Sequence, residues 1–206
     1  MGPQYSTLVL APHIDDEVLG CFSFLNKDTF VYCFGAEERK NASRAERIKE
    51  LENAAHKMGF CWDVGDNTCQ QYQCFPLIGE IESLINELKP ETLLVPPFDY
   101  NQDHRAVYDA ALAATRPHDL NWQVPRLLVY ELPGTVLWPY ERVTFEPNLF
   151  RQIDINAKID TYKIYSSQVR EHRSPELLTS LAKLRGAAVN ISFAEAFYCK
   201  RQIERL

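Results

Sequence analysis

The 206-residue sequence lacks the signals that mark membrane-spanning and secreted proteins. No apolar run approaches the length that crosses a bilayer, so we expect no transmembrane segment. The stretch from Met1 to Tyr5 has neither the basic residues nor the apolar run of a signal peptide. The six cysteines form no CxxC pair. We therefore expect reduced thiols in a cytoplasmic protein, although a pairing of Cys69 with Cys74 stays open in an oxidising compartment.

Positive charge is also scarce. Lys and Arg number 22 against 28 Asp and Glu, which gives a formal net charge of -6. Such a chain does not attract phosphate backbones, so nucleic acid is not an expected partner, although a local basic pocket is compatible with this charge. Hydrophobic residues at 46% and charged residues at 24% are ordinary for a globular protein. No repeat or linker interrupts the chain, and we predict one domain over residues 1–206.

Short apolar runs alternate with amphipathic stretches along the first two thirds of the chain. The apolar runs predict strands at Thr7–Ala11, Phe30–Phe34, Thr92–Pro96 and Leu127–Leu132. The amphipathic stretches predict helices at Asp16–Leu25, Ser43–Met58, Leu77–Leu88 and His104–Thr115. Ser43 with Glu46 three residues later is a capping-box pattern, and Gly59 ends that helix. The alternation predicts an α/β fold with helices on both faces of a mainly parallel sheet.

The last third of the chain has a different pattern. Residues Leu132–Pro147 contain three prolines and several aromatic residues, which is typical of a loop or hairpin region. Beyond them we predict helices at Ala157–Ser166 and Pro175–Val189, followed by a terminal strand at Ala194–Arg201.

A first polar cluster lies where the first strand gives way to the first helix. Residues 11–17 read Ala-Pro-His-Ile-Asp-Asp-Glu, and ligands of open α/β sheets bind at the carboxyl ends of strands. His13 and Asp16 are three residues apart in this turn and offer the ligand types that zinc prefers. Asp15 is expected to point elsewhere, as a carboxylate free to take a proton. The alternative is an acidic helix start with no metal, because acidic residues also suit a helix N-terminus.

A second polar cluster follows another predicted strand. Residues 98–105 read Phe-Asp-Tyr-Asn-Gln-Asp-His-Arg, and they belong at the same edge of the sheet as His13. His104 can complete a three-ligand zinc site that keeps a position open for water. The alternative is a helix cap at Asp103 with a solvent-facing His104.

These two clusters resemble motifs of the LmbE-like/PIG-L family of zinc-dependent N-deacetylases. Residues 12–17, PHIDDE, are similar to the first motif of the family, proline-histidine-x-aspartate-aspartate-glutamate. Residues 101–104, NQDH, are similar to its second motif, histidine-x-aspartate-histidine. Weaker matches extend the resemblance over about residues 7–198: Arg47, Glu50, Ala54, Met58-Gly59, Lys163, Tyr165, Ser167, Gln168, Leu184-Arg185-Gly186 and Ala194-Glu195-Ala196-Phe197.

The resemblance implies a three-layer Rossmann-like fold and a set of site residues. It implies zinc, or another divalent ion such as Fe2+, held by His13, Asp16 and His104, with Asp15 as the general base. It also implies hydrolysis of an N-acyl amide, usually N-acetyl, on a small amino-sugar-type molecule such as a sugar nucleotide or a glycolipid precursor.

Asn101 departs from the family pattern, in which a histidine begins the second motif. In the family that histidine is associated with oxyanion stabilisation and proton donation. The aspartate of the same motif, which corresponds to Asp103 here, can orient it. Asparagine donates hydrogen bonds but cannot act as an acid near neutral pH. Asp103 is then expected to cap the helix or to position His104. His118 and His172 are replacement candidates, although surface positions are expected for both.

The departure leaves alternatives open. One is a deformylase or a non-sugar amide hydrolase, and another is a metal-binding protein with weak or no catalysis. Two arginines are candidates for substrate binding. Arg47 also has Glu50 within pairing distance on the same helix, and Arg105 also suits an exposed position.

Overall fold

The computed structural model describes residues 5–40, 42–118, 120–138, 140 and 144–204. Within these ranges the chain forms a single α/β domain around a seven-stranded sheet. The strands are β1 (Thr7–Ala11), β2 (Thr29–Cys33), β3 (Cys61–Val64), β4 (Thr92–Val95), β5 (Arg126–Tyr130), β6 (Leu149–Gln152) and β7 (Ala194–Gln202). The helices are α1 (Asp16–Cys21), α2 (Arg44–Met58), α3 (Cys74–Leu88), α4 (Gln102–Ala114), α5 (Pro133–Leu137), α6 (Ile155–Tyr162) and α7 (Pro175–Ala187).

The sheet is mainly parallel, as predicted. Its strand order is β3-β2-β1-β4-β5-β7-β6, and the first five strands in this order are parallel. The terminal strand β7 runs antiparallel to both of its neighbours, β5 and β6. Helical crossovers between the parallel strands place helices on both faces. The expected three-layer Rossmann-like architecture is therefore confirmed.

The core consists of two apolar layers, one on each face of the sheet. Successive side chains of a strand point to opposite faces, so Val9 and Ala11 of β1 pack into one layer while Leu8 and Leu10 pack into the other. Helices α1, α2, α6 and α7 contribute to the first layer, and α3 and α4 contribute to the second. Burial on both faces explains why β1 is a continuous apolar run.

Both ends of α2 are set by the local sequence signals that predicted them. The Ser43 side chain accepts from the backbone N–H of Glu46, and the Glu46 side chain accepts from that of Ser43, which completes the capping box. Gly59 ends the helix with φ 86°, a left-handed conformation that favours glycine. The first helix is shorter than predicted, because α1 ends at Cys21 and a 3-10 turn, Phe22–Phe24, follows it.

Among the strands and α-helices of the described residues, three were not predicted. Strands β3 and β6 lie at the two edges of the sheet, where half-exposed four-residue segments give no continuous apolar run. Helix α5 begins at Pro133, inside the stretch predicted as a loop or hairpin. Proline is tolerated in the first turn of a helix because its missing N–H has no partner there. Other parts of that stretch, residues 139 and 141–143, lie outside the described residues.

The strand order reverses between β1 and β4, and this reversal positions the functional residues. The chain leaves β1 toward β2 on one side of the sheet, whereas β4 and β5 lie on the other side. Such a switch point opens a crevice at the carboxyl ends of the strands. The segment after β1 and the segment that leads into α4 both enter this crevice. None of the described helices is long and apolar enough to cross a membrane.

Candidate active site

A tight turn connects β1 to α1 and separates two neighbouring carboxylates. The backbone N–H of Asp16 donates to the carbonyl of His13 at 3.3 Å, and the N–H of His13 donates to Asp16 Oδ2 at 3.0 Å. Asp15 between them has φ 111°, in the left-handed region that non-glycine residues seldom adopt. Strain of this kind clusters at functional sites. The turn directs Asp16 toward His13 and leaves Asp15 in other contacts.

The structure brings His13, Asp16 and His104 together. One ligand atom from each residue lies within 4.8 Å of the others. His13 Nδ1 and His104 Nε2 are each 3.5 Å from Asp16 Oδ2. The three side chains come from the turn after β1 and from the first turn of α4, so the crevice between β1 and β4 assembles them.

The other ring nitrogen of each histidine contacts a carboxylate. His13 Nε2 lies 2.9 Å from Asp103 Oδ2, and His104 Nδ1 lies 2.9 Å from Asp99 Oδ2. A proton on each of these nitrogens leaves the opposite nitrogen with a lone pair facing Asp16. Metal-ligating histidines are held in this way by carboxylates. Two imidazoles and one carboxylate fit zinc, and they also fit Fe2+.

The electrostatics of the cluster favour a cation. Burial acts to lower the pKa of His104, but the charges and hydrogen bonds of Asp16 and Asp99 outweigh burial and raise this pKa to about 10. Burial also acts to raise the pKa of Asp16, yet His104 and His13 hold it far below its usual range. The carboxylates thus create a negative potential between the two rings, where a proton or a divalent ion is stabilised.

Asp15 faces arginines rather than the histidine pair. Its carboxylate is buried and accepts from Arg173 Nη1 at 3.0 Å, and Arg47 Nη2 lies 4.0 Å away. The backbone N–H of Asp15 donates to Glu17 Oε2 at 3.0 Å. Glu17 is buried, accepts from the Tyr165 hydroxyl at its other oxygen, and has its pKa raised to about 7 by burial. These contacts fix the turn and hold Asp15 beside the cluster.

The structure changes the expectation for Asp103. We expected it to cap the helix or to position His104, whereas its carboxylate contacts His13 and accepts from the backbone N–H groups of Gln70 and Tyr72. Neighbouring residues on a helix do not face each other, so Asp103 is turned away from His104. Asp99, which the sequence did not single out, contacts His104 instead.

Asn101 is the N-cap of α4. Its side-chain oxygen accepts from the backbone N–H of Asp103 at 2.9 Å. The oxygen is therefore used for capping, and no described residue accepts from the amide Nδ2. Asn101 also lines the cavity beside His104, so an N–H donor is what this side chain can offer to a ligand.

The two predicted substrate-binding arginines differ in position. Arg47 is fully buried and lines the cavity, where it donates to the carbonyl of Ile14 and to Glu50. Arg105 is not among the described residues that line this cavity. Its Nη1 donates to the carbonyl of Asp99 at 2.8 Å, and its guanidinium lies 4.5 Å from the ring centre of Tyr140.

The cavity around the cluster has a volume of about 340 Å3, within the range of small-molecule sites. The sequence did not single out several residues that line it: Glu37, Arg39, Gln70, Arg170 and Arg173. His172 also lines the cavity and is exposed there, in agreement with the expected surface position, whereas His118 contacts Leu120 and Asn121 elsewhere. The segment around Lys163 holds the site from behind, because Tyr165 supports Glu17 and Gln168 accepts from Arg173.

Solved structures with the same fold include proteins of different activities. The conserved protein TT1542 from Thermus thermophilus is 20% identical with a TM-score of 0.79, over 98% of this chain and 97% of that one. N,N'-diacetylchitobiose deacetylase from Pyrococcus horikoshii is 16% identical with a TM-score of 0.77, over 96% and 84%. The 4-carboxy-2-hydroxymuconate hydratase from Pseudomonas putida is 19% identical with a TM-score of 0.73, over 98% and 99%.

A comparison with curated proteins finds no match. The family model described as GlcNAc-PI de-N-acetylase matches residues 8–115, just over half of the chain. The match includes both polar clusters and ends just after α4. The chain therefore belongs to the PIG-L family.

Proposed function

We propose that this protein is a zinc-dependent N-deacetylase that hydrolyses the N-acyl amide of an amino-sugar-type small molecule. The observation that carries the proposal is that the candidate metal ligands and the candidate base occupy separate positions around one cavity. His13, Asp16 and His104 converge with both histidines oriented by carboxylates, while Asp15 is held beside them by Arg173. Membership of the PIG-L family and the fold shared with a chitobiose deacetylase support the same reaction class.

His13, Asp16 and His104 would hold the ion, with Fe2+ as the alternative that the same donors accept. When bound, a divalent ion polarises the acyl carbonyl and lowers the pKa of water. Asp103 and Asp99 accept at the opposite side of each ring, which orients the nitrogens that face Asp16 toward the proposed ion.

Asp15 is the general base of the proposed reaction. Its carboxylate takes the proton from the attacking water, and the water oxygen forms a bond to the acyl carbon. Asp15 then returns the proton to the leaving nitrogen as the C–N bond breaks, which gives a carboxylic acid and an amine. The acid then loses its proton to the amine or to solvent. Burial raises the pKa of Asp15, and the charges of Arg173 and Arg47 oppose this rise and favour the ionised form that begins the cycle.

Asn101 is proposed to contribute a hydrogen bond rather than a proton. Asn101 lines the cavity, and its amide NH2 group can donate to the developing oxyanion. Arg47 contributes through Asp15 and through the cavity wall that it lines.

A second candidate is a PIG-L fold with altered chemistry, either on another amide such as a formamide or with metal binding alone. The observation that favours it is the use of Asn101 as a helix cap, which leaves no acid where the family usually has a histidine. A hydratase that shares the fold supports the view that the scaffold is not limited to deacetylation.

The test is a screen of N-acetylated and N-formylated amino sugars, sugar nucleotides and simple amides, scored by release of free amine from the zinc-loaded protein. Asp15→Asn should keep about one zinc per chain and lose at least about a hundredfold in turnover. The control is Asp160→Asn, at an exposed position on α6. Turnover by Asp15→Asn equal to the unchanged protein would remove Asp15 from its role. Zinc binding without release of amine from any compound would favour the second candidate.

A further inference from the structure

The lining of the cavity beside the candidate metal site carries a local excess of positive charge. Four arginines line the cavity against three carboxylates. The arginines, here called the arginine wall, are Arg39, Arg47, Arg170 and Arg173, and the carboxylates are Asp15, Asp16 and Glu37. The whole chain has a net charge of -6, so the formal charge of this cavity lining is opposite in sign to that of the protein. A divalent ion at the cluster would add to the excess.

Three of the four arginines already have anionic partners. The pairs are Arg47–Glu50 at 2.7 Å, Arg173–Asp15 at 3.0 Å and Arg39–Glu37 at 2.6 Å. Arg170 is half-buried and forms no ion pair or hydrogen bond with any described side chain. Arg170 is therefore the cation of this wall that has its full donor capacity available for a ligand.

The local backbone brings Arg170 close to Arg173. The N–H of Arg173 donates to the carbonyl of Arg170 at 3.0 Å, which closes the 3-10 turn Glu171–Arg173. Side chains three residues apart lie on the same side of such a turn. Burial lowers the pKa of Arg170, and the neighbouring charges of Arg173 and Arg39 lower it further. The guanidinium of Arg170 is thus repelled by those of Arg173 and Arg39, and the charges of Glu37 and Asp15 only partly offset this repulsion.

Further donors of this wall are also unused. The buried Nε atoms of Arg39 and Arg173 have no hydrogen-bond partner within the described ranges. His172, next to Arg173 in the same turn, lines the cavity as well. Buried donors and like charges of this kind are stabilised by an anion that bridges them, and guanidinium groups match the oxygens of carboxylate and phosphate.

Resting on the proposed deacetylase function, we propose that the amine part of the substrate carries an anionic group, a phosphate or a carboxylate, that binds Arg170 together with Arg39 and Arg173. The acyl end lies at His13, Asp16 and His104, and the anionic end lies at the arginine wall. Neutral acetylated sugars would then be poorer ligands than their phosphorylated or carboxylated counterparts.

The experiment measures binding of product-like probes to the zinc-loaded full chain by titration calorimetry. The probes are glucosamine, glucosamine 1-phosphate and muramic acid, which present no anion, a phosphate and a carboxylate on the same amino sugar. We expect at least one anionic probe to bind about tenfold or more tightly than glucosamine, the effect of a charge-assisted hydrogen bond. The two anionic probes distinguish the phosphate from the carboxylate.

Variants then test whether the preference for anionic probes depends on the arginine wall. Arg170→Ala should abolish the preference, and Arg170→Lys should keep part of it. Arg116→Ala, at an exposed arginine outside the cavity, should leave it unchanged. Zinc content and the far-ultraviolet circular dichroism of each variant verify folding. Equal affinity for all three probes would overturn the proposal, as would an anion preference that survives in Arg170→Ala.

Measurements of binding distinguish a failure of this proposal from a failure of the proposed activity. A preference that depends on Arg170, in a protein that releases no amine from any compound, would sink the deacetylase and leave the anion site intact. Deacetylation of neutral and anionic compounds at equal rates, with no effect of Arg170→Ala on affinity, would sink the anion site and leave the deacetylase intact.

Discussion

Replacing Asp103 by asparagine tests the orientation of His13 in the proposed metal site. Oδ2 of Asp103 accepts from His13 at 2.9 Å and from the N–H of Gln70 at 2.6 Å, and Oδ1 accepts from the N–H of Tyr72 at 3.3 Å. An asparagine can keep its oxygen toward the first two donors. Its NH2 group then meets the Tyr72 N–H, donor against donor, and the negative charge behind His13 is lost.

Both losses have expected magnitudes. Loss of a carboxylate that orients a metal-ligating histidine lowers metal affinity about 10- to 100-fold, which is roughly 1.4 to 2.8 kcal/mol. The Tyr72 N–H lies in a buried position and would lose its partner, which costs about 1 to 3 kcal/mol of folding free energy. Asp99→Asn should reduce affinity similarly through His104, because Asp99 holds that ring in the same way.

Zinc affinity of the metal-free protein is measured by competition with a chromophoric chelator, and folding free energy is measured by urea denaturation. Asp109→Asn is the matched control, because Asp109 lies exposed on the same helix. The reasoning is refuted if Asp103→Asn binds zinc within twofold of the unchanged protein while the control is also unchanged. A loss of stability with no loss of affinity would make Asp103 a fold residue alone.

Two further predictions concern the metal and Asn101. Treatment with a chelator should abolish turnover and lower the melting temperature, and zinc should restore both. At a zinc concentration of 100 times Kd the stabilisation is about 2.7 kcal/mol, and thermal denaturation with and without zinc measures it. Asn101→His should lose about 1 kcal/mol of stability with the N-cap, while the basic limb of the pH–rate profile moves if the new imidazole protonates the leaving amine. An unchanged profile with lowered stability would limit Asn101 to capping.

The sheet was predictable because its central strands are buried on both faces. All residues of β1 and β4 are buried, and all except the first threonine of each strand are apolar. Such runs predict strands of a parallel sheet. The edge strand β3 alternates between exposed and half-buried residues over only Cys61–Val64, and four residues give too little periodicity to separate a strand from a loop. The same limit applied to β6.

The proposed metal ligands were predictable because motif residues follow two strands that end at one edge of the sheet. The contacts that orient these ligands were not predictable from the sequence. Asp103 precedes His104 in sequence, but helix geometry turns it toward His13. Arg173 reaches Asp15 across 158 positions of the chain, through a 3-10 turn that no periodicity indicates. The Arg170–Arg173 spacing was visible, but its place on the cavity wall follows only from the packing of the last third.

The left-handed backbone of Asp15 links the motif residues of the first half of the chain to the supporting residues of the last third. Strain at such a residue costs on the order of 1 to 3 kcal/mol, and it persists because the Glu17 side chain and Arg173 hold the turn from both sides. Glu17 in turn depends on Tyr165. The family match covers residues 8–115, which include the proposed ligands but neither Tyr165 nor Arg173. The first half of the chain therefore contains the proposed metal site, whereas the later segments hold Asp15 in place and contribute Arg170 and Arg173 to the arginine wall. We therefore expect those later segments to influence substrate choice within this fold.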